Sequence, residues 1–250
     1  SGPHHFPLSR FPYPRQGKNN QTVRQSVRER LEQGCIMLNT TPGRLRTAAL
    51  AVALALLAAC NGQAPAPPPV APLDGAQAAA RTQVPLTRPV ALDKPGVIAD
   101  LEFDLPPPGE LAGSSLVIGI RIAEETPKAI VARSSLIVRE GLPARLRLQK
   151  LDGESRTDVS LLRIAPELKK RVELGADGFT PKASPHSVNT GMMREAGLLQ
   201  DGLIYDELAL AYAGSPAPGR YHVVIELLED RPALKDSPAE LIIAYDGKSK

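Results

Sequence analysis

The 250 residues contain no tryptophan, five tyrosines, four phenylalanines and only two cysteines. Both cysteines, Cys35 and Cys60, precede residue 61. That excludes a disulfide framework or a cysteine-based zinc site from the long remainder of the chain. Histidine is also scarce, with only His186 and His222 after Cys60. A serine hydrolase would need its nucleophile in a G-x-S-x-G elbow or an equivalent turn. Ser184 and Ser187 flank His186 without one. No two histidines stand four apart and no acidic loop has calcium spacing. The glycines of "GADG" (175–178) lack the lysine of a phosphate loop. These absences predict a protein with no catalytic set, no metal site and no cofactor.

Positive charge is missing from the body of the chain. Residues 1–59 hold eight Lys/Arg and two Asp/Glu, and residues 60–250 hold 22 and 25. The overall formal charge of +3 therefore belongs to the front segment, and the rest is mildly acidic. A nucleic-acid partner is not expected, since it calls for a basic domain face.

Long hydrophobic runs are absent too. The longest, Thr47–Ala59, has 13 uncharged residues, short of the roughly 20 that span a bilayer. It follows Arg44 and Arg46 and ends in Ala58-Ala59-Cys60, the positive, apolar and small-residue order of a secretory signal peptide. The stretch "LAAC", Leu57 to Cys60, resembles the lipobox of Gram-negative bacterial lipoproteins. The resemblance implies diacylglycerol on the Cys60 thiol, cleavage before Cys60, and acylation of the new amino terminus. Several acyl chains hold a protein where one alone binds only reversibly, at about 0.8 kcal/mol per buried CH₂. Asn61, where an aspartate would retain the protein at the inner membrane, implies sorting to the periplasmic face of the outer membrane.

The chain divides accordingly. Residues 1–36, polar and turn-rich, are expected to be a disordered extension upstream of a start at Met37. Residues 37–59 are the signal peptide, and residues 60–83 the lipidated cysteine and a Pro/Ala-rich tether. In polyproline geometry the tether would reach on the order of 70 Å. Residues 84–250 are the folded domain.

Alternation of apolar and polar residues marks strands there. In "VIADLEFDL" (97–105), Ala99, Leu101, Phe103 and Leu105 share one face, and Asp100, Glu102 and Asp104 the other. Leu116, Ile118, Ile120 and Ile122 line the next strand inward. Ala144, Leu146 and Leu148 follow, opposite Arg145 and Arg147. Tyr221, Val223, Ile225 and Leu227 line the best strand in the chain. Segment 126–141 reads as a helix begun by Thr126 and Pro127, or as a strand at 135–139. Segment 165–175 reads as a helix stopped by Gly175, and 179–199 as a long turn-rich insertion. Seven or so strands predict an antiparallel β-sandwich, immunoglobulin-like or jelly-roll-like, with one or two short helices.

A Lys94–Gly96 turn near the start, a "PG-x-Y-x-V-x-I" strand, and the late Leu228, Asp230, Pro232, Leu234 spacing resemble a family of small uncharacterised lipoproteins. The resemblance implies this fold and location and no activity.

Two contact features stand out. The acidic row on 97–105 reads as a solvated face. Met192, Met193 and Arg194, in the insertion, are adaptable contact residues and the candidate contact with a protein partner. The expected function is a binding module, held to the membrane through the lipid on Cys60. One form is an immunity protein against a periplasm-delivered toxin. The alternative is a structural or assembly lipoprotein of an envelope or secretion machine. An enzyme is not expected.

Overall fold

The computed structural model describes residues 70–247, apart from residues 108, 110–112 and 166–169. The extension at 1–36, the signal peptide at 37–59 and Cys60 lie outside the described residues.

The chain runs through a short helix α1 (Gly75–Ala80), then β1 (Leu86–Val90), β2 (Gly96–Leu105) and β3 (Leu116–Glu124). Helix α2 (Pro127–Glu140) leads to β4 (Ala144–Asp152), β5 (Ser155–Asp158), β6 (Leu161–Ala165) and β7 (Lys170–Glu173). The strands β8 (Phe179–Thr180) and β9 (Ser184–His186), helix α3 (Thr190–Glu195), and β10 (Ile204–Ala213), β11 (Gly219–Leu227) and β12 (Ala239–Tyr245) complete it. One sheet has the order β1-β12-β3-β10-β6-β7, with β9 also on β10; the other has β2-β11-β4-β5, with β8 also on β4. The fold is therefore mainly antiparallel β in two sheets, as the alternation predicts.

The inward faces are those read from the sequence. Tyr221, Val223, Ile225 and Leu227 are buried, as are Ala144, Leu146, Leu148 and the four inward residues of β3. Arg145 and Arg147 are exposed. Each fully buried Val, Leu, Ile or Phe adds about 1.5–3 kcal/mol, and together these residues form one core between the sheets. Tyr221 stacks on Phe103 with ring centroids 5.7 Å apart. Its hydroxyl donates to the Ala217 carbonyl four residues upstream, the tyrosine-corner contact of sandwich domains.

Segment 126–141 is helical. The Thr126 side chain accepts from the Ala129 amide, Pro127 starts α2, and Gly141 at φ 70° ends it. The two ends that carry the second resemblance meet in space. The Arg231 amide donates to the Asp93 carbonyl beside the Lys94–Gly96 turn. The Arg231 side chain donates to Glu140 O at the end of α2, and Leu234 is buried.

Three expectations are corrected. Among the described residues of 165–175 there is no helix: residues 170–173 are strand β7, paired with β6 in the register Ile164↔Arg171. Arg171 is held there by Asp246 and Ser115, tertiary contacts that override local helix propensity. Segment 179–199 is not a turn-rich loop but holds β8, β9 and α3.

The tether is shorter than 60–83. Asp74 and Gln77 form a reciprocal capping box at the start of α1. The Leu73 amide donates to Gly197 O at 2.8 Å, and Leu73 and Ala78 pack on buried residues of the domain. Residues 82–84 bond to Asp104 at the end of β2, and after the cis Val84–Pro85 bond the chain joins the other sheet as β1. The packed domain thus begins by Leu73.

Candidate binding groove

In β3 every residue from Leu116 to Ile122 is buried, so the strand is covered on both faces. The inner cover is the main core. The outer cover is α1 with Leu73, and the segment from Val188 to Leu199. These pack on Val117, Ala209, Tyr212, Ile242 and Ala244. The cover fits closely at Gly197, which has φ +68° and where a Cβ would lie 2.9 Å from Ala71 O. Only glycine suits that place.

Under this cover a row of charged residues crosses the outer face. Cross-strand register sets Glu240 of β12 opposite Arg121 of β3, Arg121 opposite Glu207 of β10, and Glu207 opposite His186 of β9. Directly opposed residues share a face and lie within reach of one another.

Arg121, 4% exposed, bonds Glu240 at 2.6 Å. It also donates to Leu198 O at 2.8 Å and lies over the Tyr205 ring at 4.7 Å. His186 contacts Asp246 at 2.8 Å through Nε2. Arg171 reaches the same carboxylate at 2.7 Å and lies 4.1 Å over the Tyr212 ring, against whose face His186 stands edge-on. Burial raises the Tyr212 phenol above its ordinary range. The two basic side chains beside Glu207 are therefore engaged elsewhere, Arg121 with Glu240 and His186 with Asp246. Among the described residues Glu207 has no ion-pair partner of its own. Burial first, and the neighbouring Asp206 charge second, push its carboxyl up to about 7, against a smaller opposing pull from Arg121 and the Val188 amide.

Glu207 lines an open groove of about 830 Å³ between the sheet face and the covering segment, with Pro72, Val188, Met193, Leu203 and Tyr205 among its walls. Of the residues singled out from the sequence, Arg194 is exposed and belongs to this groove's lining. Met193 is fully buried. The Asn189 side chain caps α3 by accepting from the Met192 amide, and the helix so begun turns Met193 onto the sheet. Met193 is therefore a wall of the groove and not a protruding contact. Met192 is half-buried against the main core. His222 lies on the outer face of the five-stranded sheet, against Asp100 at 2.6 Å. The acidic row is partly compensated there, with Arg220 on Glu102 at 2.8 Å.

Sequence reasoning missed Arg121, Tyr205, Glu207 and Glu240. A single acid in an alternating strand reads as solvated. The available signal was Val117 and Gly119 on the supposed outer face of β3, which marks a strand buried on both sides.

The raised carboxyl has a stability consequence. A group ionising near 4.5 in the unfolded chain and about 7 in the fold binds its proton more tightly when folded. The domain then loses stability as pH rises from about 4.5 to 7. Glu207→Gln removes that loss. The variant should be more stable than the parent at pH 8, by up to about 3 kcal/mol, with little difference at pH 4.5. Urea unfolding at the two pH values measures it, and a pH-independent difference would contradict the assigned environment.

No family model and no curated protein sequence matches the chain. Among solved structures it is similar to the crystal structure of a protein from Sulfurospirillum deleyianum, at 10% identity and a TM-score of 0.36, over 66% of this chain and 98% of that one.

Proposed function

We propose that this protein is a lipid-anchored interaction module on the periplasmic face of the outer membrane, and that it holds a protein partner in the groove over β10. The observation that carries the reading is the groove itself, a cleft of mixed apolar and polar walls whose lining holds Arg194 and Glu207, a carboxylate without an ion-pair partner among the described residues. Clefts in which a few polar groups converge beside apolar walls are the usual make-up of a binding site. The anchoring half of the proposal rests on the Leu57–Cys60 seam.

Two measurements test the two halves. Cys60→Ser should abolish incorporation of labelled palmitate and leave an uncleaved precursor; a serine form that still matures with lipid would sink the anchor. A photo-crosslinking residue at Arg194, in the groove lining, should capture one dominant envelope protein. The same residue at Arg147, exposed on the opposite sheet, should not. Equal capture at both sites, or at neither, would remove the groove as the contact. A captured toxin would make the module an immunity protein, in which case cells lacking it are killed by siblings delivering that toxin. A captured secretion or envelope complex would make it an assembly lipoprotein.

A further inference from the structure

We propose that Glu207 is the anchor point of the groove and that the partner seats a basic side chain, a lysine or arginine, on it. This rests on the groove being a protein contact, and it specifies the chemistry of that contact.

The argument is one of unfilled pairing. Across the outer face the charges run Glu240, Arg121, Glu207, His186, Asp246, with Arg171 beyond. Glu240 has Arg121 at 2.6 Å. Asp246 has His186 at 2.8 Å and Arg171 at 2.7 Å. Glu207, between the two satisfied groups, faces the groove without a cation of its own. A carboxylate partly removed from water and left unpaired is costly, and an incoming cation relieves that cost.

The walls suit the stem of such a side chain. Val188, Met193, Leu199 and Leu203 line the way to Glu207, and lysine and arginine lay their methylene stems along apolar surface while the head finds its counter-charge. The groove's other charges disfavour an acidic occupant. Asp206 adjoins Glu207 on β10, Glu240 lies two strands away, and Asp201 lines the same groove. Against them stand Arg121, closed by Glu240 and Leu198 O, and Arg194, which is exposed.

The pairing couples binding to pH. A basic side chain favours ionised Glu207, whose carboxyl sits at about 7, so affinity should rise between pH 6 and pH 8. The rise should be lost in Glu207→Gln.

The test follows the Glu207 carboxyl carbon by NMR in the protein beginning at Asn61, with the signal assigned by its loss in Glu207→Gln. The probe is N-acetyl-lysine methylamide at millimolar concentration, and its uncharged counterpart is N-acetyl-norleucine methylamide. The lysine probe should lower the apparent pKa of Glu207 by about half a unit or more, a tightening that follows from preferential binding to the charged form. The lysine probe should also shift the Val188 and Leu203 signals, and that effect should be lost in Glu207→Gln. The norleucine probe should leave the pKa unchanged or raise it. Equal effects of the two probes, or none from either, would overturn the proposal. If crosslinking at Arg194 succeeds while the lysine probe fails, the groove is a contact of different chemistry. If the probe binds and no partner is captured, the Glu207 site stands and the interaction reading falls.

Discussion

Gly119→Ala should destabilise the domain by at least about 3 kcal/mol, the upper end of the usual cost of overpacking and a large share of the roughly 5–15 kcal/mol that holds a domain folded. On propensity alone the sign would be the reverse, since glycine inside a strand is worse than alanine by roughly 0.5–1 kcal/mol. Geometry decides otherwise. Gly119 lies mid-strand in β3, between Ile242 of β12 and Ala209 of β10. A Cβ there would stand 2.3 Å from Leu208 O and 2.9 Å from the Ala209 Cα. Both are backbone atoms, so no side chain can swing away. The register of β10 shifts between Ala209 and Ala211 at this same point, making Leu210 the extra residue of a bulge. Gly214→Ala, with open space around it, should be nearly neutral. Urea unfolding of both variants measures the contrast, and a stable Gly119→Ala would mean that the two strands do not approach in this way.

Ile225→Ala should lower stability by about 2–5 kcal/mol, the range for truncating a core isoleucine or leucine. Ile225 is fully buried in the middle of β11, between Ala99 of β2 and Leu146 of β4. For a domain of this size that corresponds to a fall in Tm of roughly 5–15 °C. Glu226→Ala, one residue along, removes only a contact to Arg145 at 3.8 Å between largely exposed side chains, a pair of a kind worth about 0–1 kcal/mol. Thermal melts of the two variants in the protein beginning at Asn61 should differ plainly. Similar melts would show that the inward and outward faces of β11 are misassigned.

These two predictions differ in how far the sequence alone supports them. The inward face of β11 is legible because alternation between Tyr221 and Leu227 is a local signal read residue by residue. The same holds for β2 and β4, whereas for α2 the Thr126-Pro127 start is legible but leaves a strand at 135–139 open as the alternative. Gly119 is different. Its constraint comes from a bulge in a strand about 90 residues later, and nothing near it in the chain announces that. β7 was misread for a similar reason, because Arg171 finds Asp246 and Tyr212 only once the ends of the chain come together. The groove was the least legible feature. Glu207 is an ordinary alternating acid until Leu73, α1 and the Val188–Leu199 segment cover its neighbours. Met193 and Arg194, singled out from the sequence, both line the groove, but the sequence reading assigns surface contact to a methionine that the Asn189 cap turns inward.

The docking of Leu73 on Gly197 would also bound how far the groove could work from the proposed anchor. If Cys60 carries the proposed lipid, twelve residues, Asn61 to Pro72, would separate the lipid from Leu73. At no more than about 3.6 Å per residue, that leash is at most about 45 Å, well short of the span that a 23-residue tether would allow. Because Pro72 itself lines the groove, the leash ends at the binding face. On the proposed anchoring, that face would stay within a thin layer above the bilayer, where a partner resident in the same membrane would meet it at an effective concentration approaching millimolar. A contact built on one seated cation can be weak in free solution and still be occupied most of the time in that layer, while a partner free in the periplasm gains no such help.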